Sequence, residues 1–247
     1  MKIEQHSEEI QKNLQYWESK PLLKQIYNNF HRLIAVYLSN IPNAQVVELG
    51  SGIGNIKEII PHCIRTDLFP NPWIDQEENA FRLSFQNNEV SDLILFDIFH
   101  HLRYPGTALK EFHRVLIPRG RIIIFDPCLS LLGYILYGLF HHEPIGLKNP
   151  IHWFAPKNWD PNNIDYYAAQ GNASRVFFEK KWKQNFTLWN VVAKKRLSAI
   201  SYVTSGGYSK PQLYPGFIYP LMRGLDRICD YLPFLFATRL LVVLEKK

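Results

Sequence analysis

The amino-acid sequence predicts an α/β fold in which helices cover both faces of a mostly parallel sheet. The apolar stretch Val46–Leu49 runs directly into a glycine-rich turn, and helix-compatible residues follow from Ile56. Further along, Ile122–Phe125 is apolar throughout, as is typical of a parallel strand buried on both faces. With 247 residues, of which 47% are hydrophobic, the chain is long and apolar enough to form one large domain around such a sheet.

Periodicity and turn residues predict the other elements. Apolar residues recur at helical spacing over Glu8–Leu38, where Pro21 opens a second helix. The helix after the glycine-rich turn is predicted to end near Pro61. The remaining predictions are strands at Cys63–Asp67, at a short third segment and at Asp92–Phe96, a helix at Ala108–Leu116, a helix at Asn172–Phe186, a strand at Trp189–Tyr202, a helix at Pro215–Leu232 and a strand at Thr238–Leu244.

The glycine-rich turn is the most informative stretch of the chain. Glycine adopts left-handed backbone conformations at low cost and lets the backbone approach a ligand closely. Here Gly50, Gly52 and Gly54 give the spacing G-x-G-x-G, and Glu48 precedes them by two residues. A dinucleotide-binding turn requires G-x-G-x-x-G, and Asn55 occupies the position of its third glycine.

An acid followed by G-x-G-x-G after a strand resembles motif I of the class I S-adenosylmethionine-dependent methyltransferases (methyltransferase type 11-like). Asn79–Phe85 and Asn87–Phe96 resemble the D-A-x-x-L-P-F and F-D-L-I stretches of that family, and Arg114–Arg121 resembles R-V-L-x-P-G-G. The resemblance covers Val46–Pro127 and the final strand. It implies a Rossmann-like sheet of seven strands, mostly parallel, with an antiparallel last strand.

The resemblance also implies the cofactor, S-adenosyl-L-methionine, and the residues that bind it. In the family the acid and the glycines surround the methionine part of the cofactor. An acid at the end of the second strand, here Asp67, can hold a ribose. Asn79 stands where the family has aspartate near the adenine, and its side-chain oxygen can still accept a hydrogen bond. The predicted cofactor-binding residues are Glu48, Gly50, Ser51, Gly52, Gly54, Asp67, Asn79, Ala80 and Asp97.

Several side chains could act as a general base if the acceptor must lose a proton. The candidates are His100, His101, His141 and His142, together with Asp97 and Asp126, and the sequence does not choose among them. The cluster His141-His142-Glu143 lacks the H-E-x-x-H spacing of a zinc site, so no metal is predicted.

The predicted function is methyl transfer (EC 2.1.1.-) to a small-molecule acceptor, such as a sugar or a lipid-linked glycan intermediate. Residues 1–41 form an N-terminal helical cap of the single domain 1–247. Residues 129–208, rich in aromatic side chains, form a substrate-side insertion that includes a late strand. Two alternatives stay open: a degenerate protein that binds the cofactor without turnover, and an NAD-dependent oxidoreductase or epimerase.

Composition bounds the partners and the location. The formal net charge is +6, but the basic residues form no stripe with stacking aromatics, so no nucleic-acid partner is predicted. Three scattered cysteines and a polar N-terminus predict a reduced, cytoplasmic setting without a signal peptide. The apolar segments Leu129–Phe140 and Leu232–Leu241 are interpreted as core, and no stable membrane insertion is predicted. The oligomeric state is left open.

Overall fold

The computed structural model describes residues 3–141, 143–162 and 166–247. The strands in this part of the chain are β1 (Gln45–Leu49), β2 (Ile64–Asp67), β3 (Gln76–Glu77), β4 (Val90–Phe96), β5 (Leu116–Pro127), β6 (Trp189–Ser198) and β7 (Ala237–Lys246). The α-helices are α1 (Ile3–Ser19), α2 (Pro21–Ala35), α3 (Pro105–Val115), α4 (Leu131–Leu139), α5 (Asn172–Phe178), α6 (Ile200–Thr204), α7 (Tyr219–Cys229) and α8 (Pro233–Phe236). Short 3-10 helices occur at Asn55–Glu58, Phe99–His101, Lys180–Phe186 and Gly216–Ile218.

The strands form one seven-stranded sheet in the order β3-β2-β1-β4-β5-β7-β6. Pairing is parallel from β3 through β5, whereas β7 runs antiparallel to both of its neighbours, β5 and β6. This topology confirms the predicted fold class, including the antiparallel last strand. Because the strand order reverses between β1 and β4, a crevice opens outside the carboxyl ends of these two strands.

Alternating side chains of the central strands fill two separate cores. On one face Val47, Leu93 and Ile122 pack with buried residues of α3 and α5. On the other face Val46 and Ile94 pack with buried residues of α2. Successive side chains of a strand point to opposite faces, so strands that are apolar throughout require helices on both sides. The sheet edge that carries the crevice is therefore held rigidly between two layers of helices.

Local predictions hold best where a helix or a strand is long. The first two helices form as predicted, with Pro21 in the first turn of α2. The helix predicted from Ile56 is wrong in type, because only a four-residue 3-10 helix forms there and Pro61 disfavours helical backbone at the residue before it. The predicted helix at Asn172–Phe186 also divides, since Glu179 adopts an extended conformation after α5.

The interpretation of the two apolar segments as core is wrong for most of the first segment, whereas in the second segment it holds for residues 237–241. In the first segment Leu131, Tyr134, Ile135, Leu139 and Phe140 are exposed. In the second segment Leu232 and Phe234 are exposed, whereas Leu240 and Leu241 in β7 are buried. The two cores are already filled by other strands and helices, so these side chains remain at the surface.

Candidate active site

A cleft of about 1080 Å³ lies at the carboxyl edge of the sheet. It brings together most of the predicted site residues, namely Glu48, Gly50, Ser51, Gly52, Asp67, Asn79, Ala80, Asp97, His100, His101 and His141. Gly54 does not line the cleft, and His142 lies outside the described residues. The cleft is also lined by side chains that the sequence did not single out as site residues, including Tyr27, His31, Tyr202, Tyr208 and Arg239.

Gly50, Gly52 and Gly54 all adopt left-handed backbone conformations, with φ of 70°, 52° and 66°, but they serve different purposes. A Cβ on Gly50 would lie 2.1 Å from Ile98 Cδ1, and one on Gly54 would lie 2.6 Å from the Trp73 carbonyl oxygen. These two glycines therefore permit close packing behind the turn. A Cβ on Gly52 would meet nothing within 4 Å, so this glycine keeps the cleft open.

Two carboxylates flank the turn. Asp67 Oδ2 accepts a hydrogen bond of 3.0 Å from the Gly52 N–H, and its Oδ1 accepts one of 2.7 Å from the Leu68 N–H. Glu48 is buried, and its Oε2 has no hydrogen-bond partner. Burial raises the pKa of Glu48 to about 7, although a hydrogen bond from Ser51 opposes the shift. An unpartnered buried carboxylate oxygen is costly unless a ligand supplies a donor.

The remaining predicted cofactor residues already have protein partners. Asn79 Oδ1 accepts a hydrogen bond from the Phe81 N–H at 2.9 Å, and its Nδ2 donates to the Pro161 carbonyl at 2.7 Å. Asp97 adopts a left-handed backbone conformation, with φ of 56°, and its carboxylate forms an ion pair with the buried Arg239. The Asn79 oxygen retains one lone pair for a ligand. Asp97 instead balances the charge of an arginine that sequence reasoning missed.

His100 is held between two acids at the centre of the cleft wall. Its Nδ1 lies 3.1 Å from Asp126 Oδ1, and its Nε2 lies 3.3 Å from Glu143 Oε2. Burial alone would lower the pKa of His100, but the two carboxylates more than offset this and raise it to about 10. At neutral pH His100 is therefore an imidazolium, which already carries its proton.

His101 has the opposite character. Its Nδ1 lies 2.9 Å from the Tyr167 carbonyl oxygen, so that nitrogen must carry the hydrogen. Burial and the neighbouring His100 charge lower the pKa of His101 to about 4. The neutral ring thus leaves an unprotonated Nε2, 3.7 Å from Glu143 Oε1. His141 is exposed, and its Nδ1 accepts a hydrogen bond from the Glu143 N–H at 3.2 Å.

Glu143 links these groups. Its Oε1 accepts a hydrogen bond of 2.5 Å from the Tyr166 hydroxyl, and Gln170 donates to its Oε2. Although burial opposes it, the hydrogen bond from His100 holds the pKa of Glu143 below its usual range. The sequence offers no local signal for this network, because Glu143 and Gln170 are far along the chain from His100.

His100, His101 and Glu143 present ligand atoms that all lie within 4.8 Å of one another, a spacing that could hold a metal ion. Both carboxylates already have the His100 imidazolium as a partner, because its ring lies between Asp126 and Glu143. The sequence-based expectation of no metal stays a prediction.

Residues 47–124 match the family model described as a methyltransferase domain. Over these residues the chain is similar to the class I S-adenosylmethionine-dependent methyltransferases. The cofactor of this family is S-adenosylmethionine, as the sequence predicts, and the family match favours methyl transfer over the nicotinamide alternative.

Solved structures share the methyltransferase fold at low sequence identity. A SAM-dependent methyltransferase from Archaeoglobus fulgidus is 13% identical, with a TM-score of 0.53 over 91% of this chain and 94% of that one. Geranyl diphosphate C-methyltransferase from Streptomyces coelicolor A3(2), in complex with Mg²⁺, geranyl-S-thiolodiphosphate and S-adenosyl-L-homocysteine, is 10% identical. Its TM-score is 0.52 over 89% of this chain and 76% of that one. At such identities the likeness shows the fold alone.

One sequence relative matches only part of this chain. It is "Probable polyketide synthase 10" of Dictyostelium discoideum, which is 20% identical over 119 residues. The match spans 44% of this chain and 5% of the length of that protein. The activity of that much longer protein is therefore not transferred to this one.

The cleft fits the cofactor of the methyltransferase family. Glu48 offers an unpartnered buried oxygen to a donor such as the amino group of a methionine moiety. Gly52 leaves room for a ligand against the turn, and Asp67 lies beside it at the end of β2. These observations concern residues of this chain and do not depend on the comparisons.

The opposite ionisation of the two neighbouring histidines can be measured by NMR titration of the imidazole nitrogens. We expect His101 to stay neutral down to about pH 4 and His100 to stay charged up to about pH 10. Glu143→Gln removes a negative charge from His100 and should lower its pKa. Glu77→Gln, at an exposed position in β3, should leave both histidines unchanged. A neutral His100 at pH 7 in the wild-type protein would contradict this charge assignment.

Proposed function

We propose that this chain transfers the methyl group of S-adenosylmethionine to a nucleophilic atom of a small-molecule acceptor. The observation that carries the proposal is one cleft with two complementary halves. The glycine turn with the unpartnered Glu48 oxygen lines one half, and the neutral His101 lines the other. A volume of about 1080 Å³ is at the upper end for a single small-molecule site, so the cleft has room for a cofactor and an acceptor together.

Each half of the cleft has a proposed task. Glu48 accepts hydrogen bonds from the amino group of the cofactor, Asp67 accepts them from the ribose hydroxyls, and Asn79 with Ala80 borders the adenine. Methyl transfer from a sulfonium is an in-line displacement with an activated donor. The protein therefore contributes mainly alignment of donor and acceptor. Asp97 acts indirectly, by fixing Arg239 beside the cleft.

His101 is the proposed general base among the candidates. His100 already carries its proton at neutral pH, and His141 is exposed at the surface. When an acceptor hydroxyl attacks the methyl group, its oxygen–carbon bond forms as the carbon–sulfur bond breaks. The hydroxyl proton then passes to His101 Nε2. Glu143 Oε1, 3.7 Å away, stabilises the imidazolium that results.

The acceptor side of the cleft suits an amphiphilic ring-bearing molecule. Aromatic side chains of the insertion line it together with hydrogen-bonding groups; they are Phe140, Tyr166 and Tyr167. Trp153 has a different task, since it stacks on Trp182 with ring centroids 5.3 Å apart and packs against Gly106. A sugar or a lipid-linked glycan intermediate is therefore the proposed acceptor.

The anchoring of the cofactor by Glu48 gives its binding a defined pH dependence. The pKa of Glu48 is about 7 in the free protein, and a cationic amino group binds the ionised carboxylate. S-adenosylhomocysteine affinity should therefore fall as the pH drops through about 7, and Glu48→Gln should remove this dependence. Asp67→Ala should weaken binding by about tenfold or more, because hydrogen bonds to a charged group contribute about 1.5–3 kcal/mol. Calorimetric titration measures both effects. Unchanged affinity for S-adenosylhomocysteine in both variants would show that the turn is not part of the cofactor site.

The base assignment is tested by methyl transfer. Turnover is followed as S-adenosylhomocysteine formed in the presence of sugar and polyprenyl-linked sugar acceptors. We expect His101→Ala to lower kcat by about a hundredfold or more, with S-adenosylhomocysteine affinity retained. His141→Ala is the matched control and should remain active. A fully active His101→Ala variant would exclude this base. Tight cofactor binding with no turnover on any acceptor would favour the cofactor-binding alternative.

A further inference from the structure

Helix α7 presents an apolar face to solvent. Leu221, Leu225 and Ile228 are spaced by four and three residues, which places them on one side of the helix, and Leu232 follows between α7 and α8. All four are exposed, and Leu221 and Ile228 expose 74% and 67% of their surface. In a surface helix apolar residues normally face the core, as Tyr219 and Cys229 do here, so this second, outward apolar stripe is unusual.

Polar contacts on the inner side of α7 fix the orientation of this helix. Asp226, on the inner side of α7, accepts hydrogen bonds from the Ser201 hydroxyl at 2.5 Å and from the Ser201 N–H at 3.1 Å. Asp230, which directly follows the last residue of α7, accepts a hydrogen bond of 2.6 Å from the Ser198 N–H. These carboxylates attach α7 to β6 and α6. Turning the apolar stripe inward would break both attachments.

A second helix with exposed apolar side chains, α4, lies beside α8. Helix α4 contains no charged residue, yet its outer side chains Leu131, Tyr134 and Ile135 are exposed. The Ser130 hydroxyl donates to the Leu235 carbonyl at 3.1 Å, which places the start of α4 next to α8. We call the exposed apolar side chains of α4, α7 and the α8 region the apolar face; its members are Leu131, Tyr134, Ile135, Leu139, Phe140, Leu221, Leu225, Ile228, Leu232 and Phe234.

Positive charge accompanies the apolar face. Arg223, which is half-buried, and Arg227, which is exposed, are four residues apart and form a row on α7 at the border between its exposed and its buried side. The acidic groups of this segment, Asp226 and Asp230, are occupied by their serine partners on the inner side. The chain as a whole has a formal net charge of +6. An apolar stripe flanked by arginines is the pattern of a helix that lies in a membrane interface.

We propose that the apolar face docks on the surface of an anionic lipid bilayer, with the apolar side chains among the acyl chains and the arginines at the headgroups. No helix within the described residues is long and apolar enough to cross a membrane, so attachment is peripheral. A second copy of this chain fits less well, because a symmetric contact through the same face would bring like-charged arginines together.

The apolar face borders the cleft. Leu136 and Phe140, in and just after α4, also line it. A protein seated on the bilayer through α4 would therefore hold the mouth of the cleft near the headgroups. An acceptor with a lipid tail could then enter without leaving the membrane. This consequence rests on the proposed function, whereas the docking itself does not.

Vesicle co-sedimentation tests the docking. We expect the full chain to bind vesicles of phosphatidylcholine mixed with phosphatidylglycerol more tightly than vesicles of phosphatidylcholine alone. Ile228→Asp should abolish binding, and Arg223→Ser and Arg227→Ser should each weaken binding to the mixed vesicles by about fivefold. Val36→Asp is the matched control, because Val36 is as exposed as Leu221 but lies at the end of α2, outside the apolar face.

The outcomes separate docking from cofactor chemistry and from folding. Ile228→Asp should keep the thermal stability and the S-adenosylhomocysteine affinity of the wild type, since its side chain is exposed. The proposal is overturned if the wild type does not bind the mixed vesicles, or if Val36→Asp and Ile228→Asp lose binding equally. It is also overturned if the chain is a dimer in size-exclusion chromatography that Ile228→Asp dissociates while no vesicle binding is seen.

Discussion

Burial of carboxylates at the carboxyl edge of the sheet is the constraint on which the site depends. Glu48, Asp126 and Glu143 are almost completely removed from solvent, and each would be costly without a compensating partner. The His100 imidazolium compensates two of them. Glu48 has an oxygen without any partner in the protein, and in the proposed function a cofactor amino group supplies the missing donor. The charges of the cleft wall thus keep one histidine protonated and its neighbour neutral at neutral pH.

The sequence predicts those parts of the site that are local in the chain. A strand, an acid and glycines at alternate positions lie within nine residues of one another, and their spacing alone defines the turn. The contact between His100 and Glu143 could not be predicted in this way. These residues are 43 positions apart, which is the difference between their numbers, and Glu143 lies in an irregular segment. The same reason explains why Arg239, on the last strand, was missed as the partner of Asp97.

The hydrophobic pattern predicted the positions of helices and strands well, but it predicted poorly which of their sides are buried. The central strands are buried as expected because seven paired strands under two layers of helices leave them no contact with water. Helices α4 and α7 also carry apolar side chains, but hydrogen bonds of Asp226 and Ser130 fix these helices with several of those side chains outward. The sequence shows which side chains are apolar, but it does not specify whether protein or lipid covers them.

The central claim is that the glycine turn and Glu48 form a site for S-adenosylmethionine. Its most direct test is calorimetric titration of the wild-type protein with S-adenosylhomocysteine and, in parallel, with NAD. Saturable one-to-one binding of S-adenosylhomocysteine without binding of NAD is the predicted result. Binding of NAD in its place would contradict the assignment of the turn.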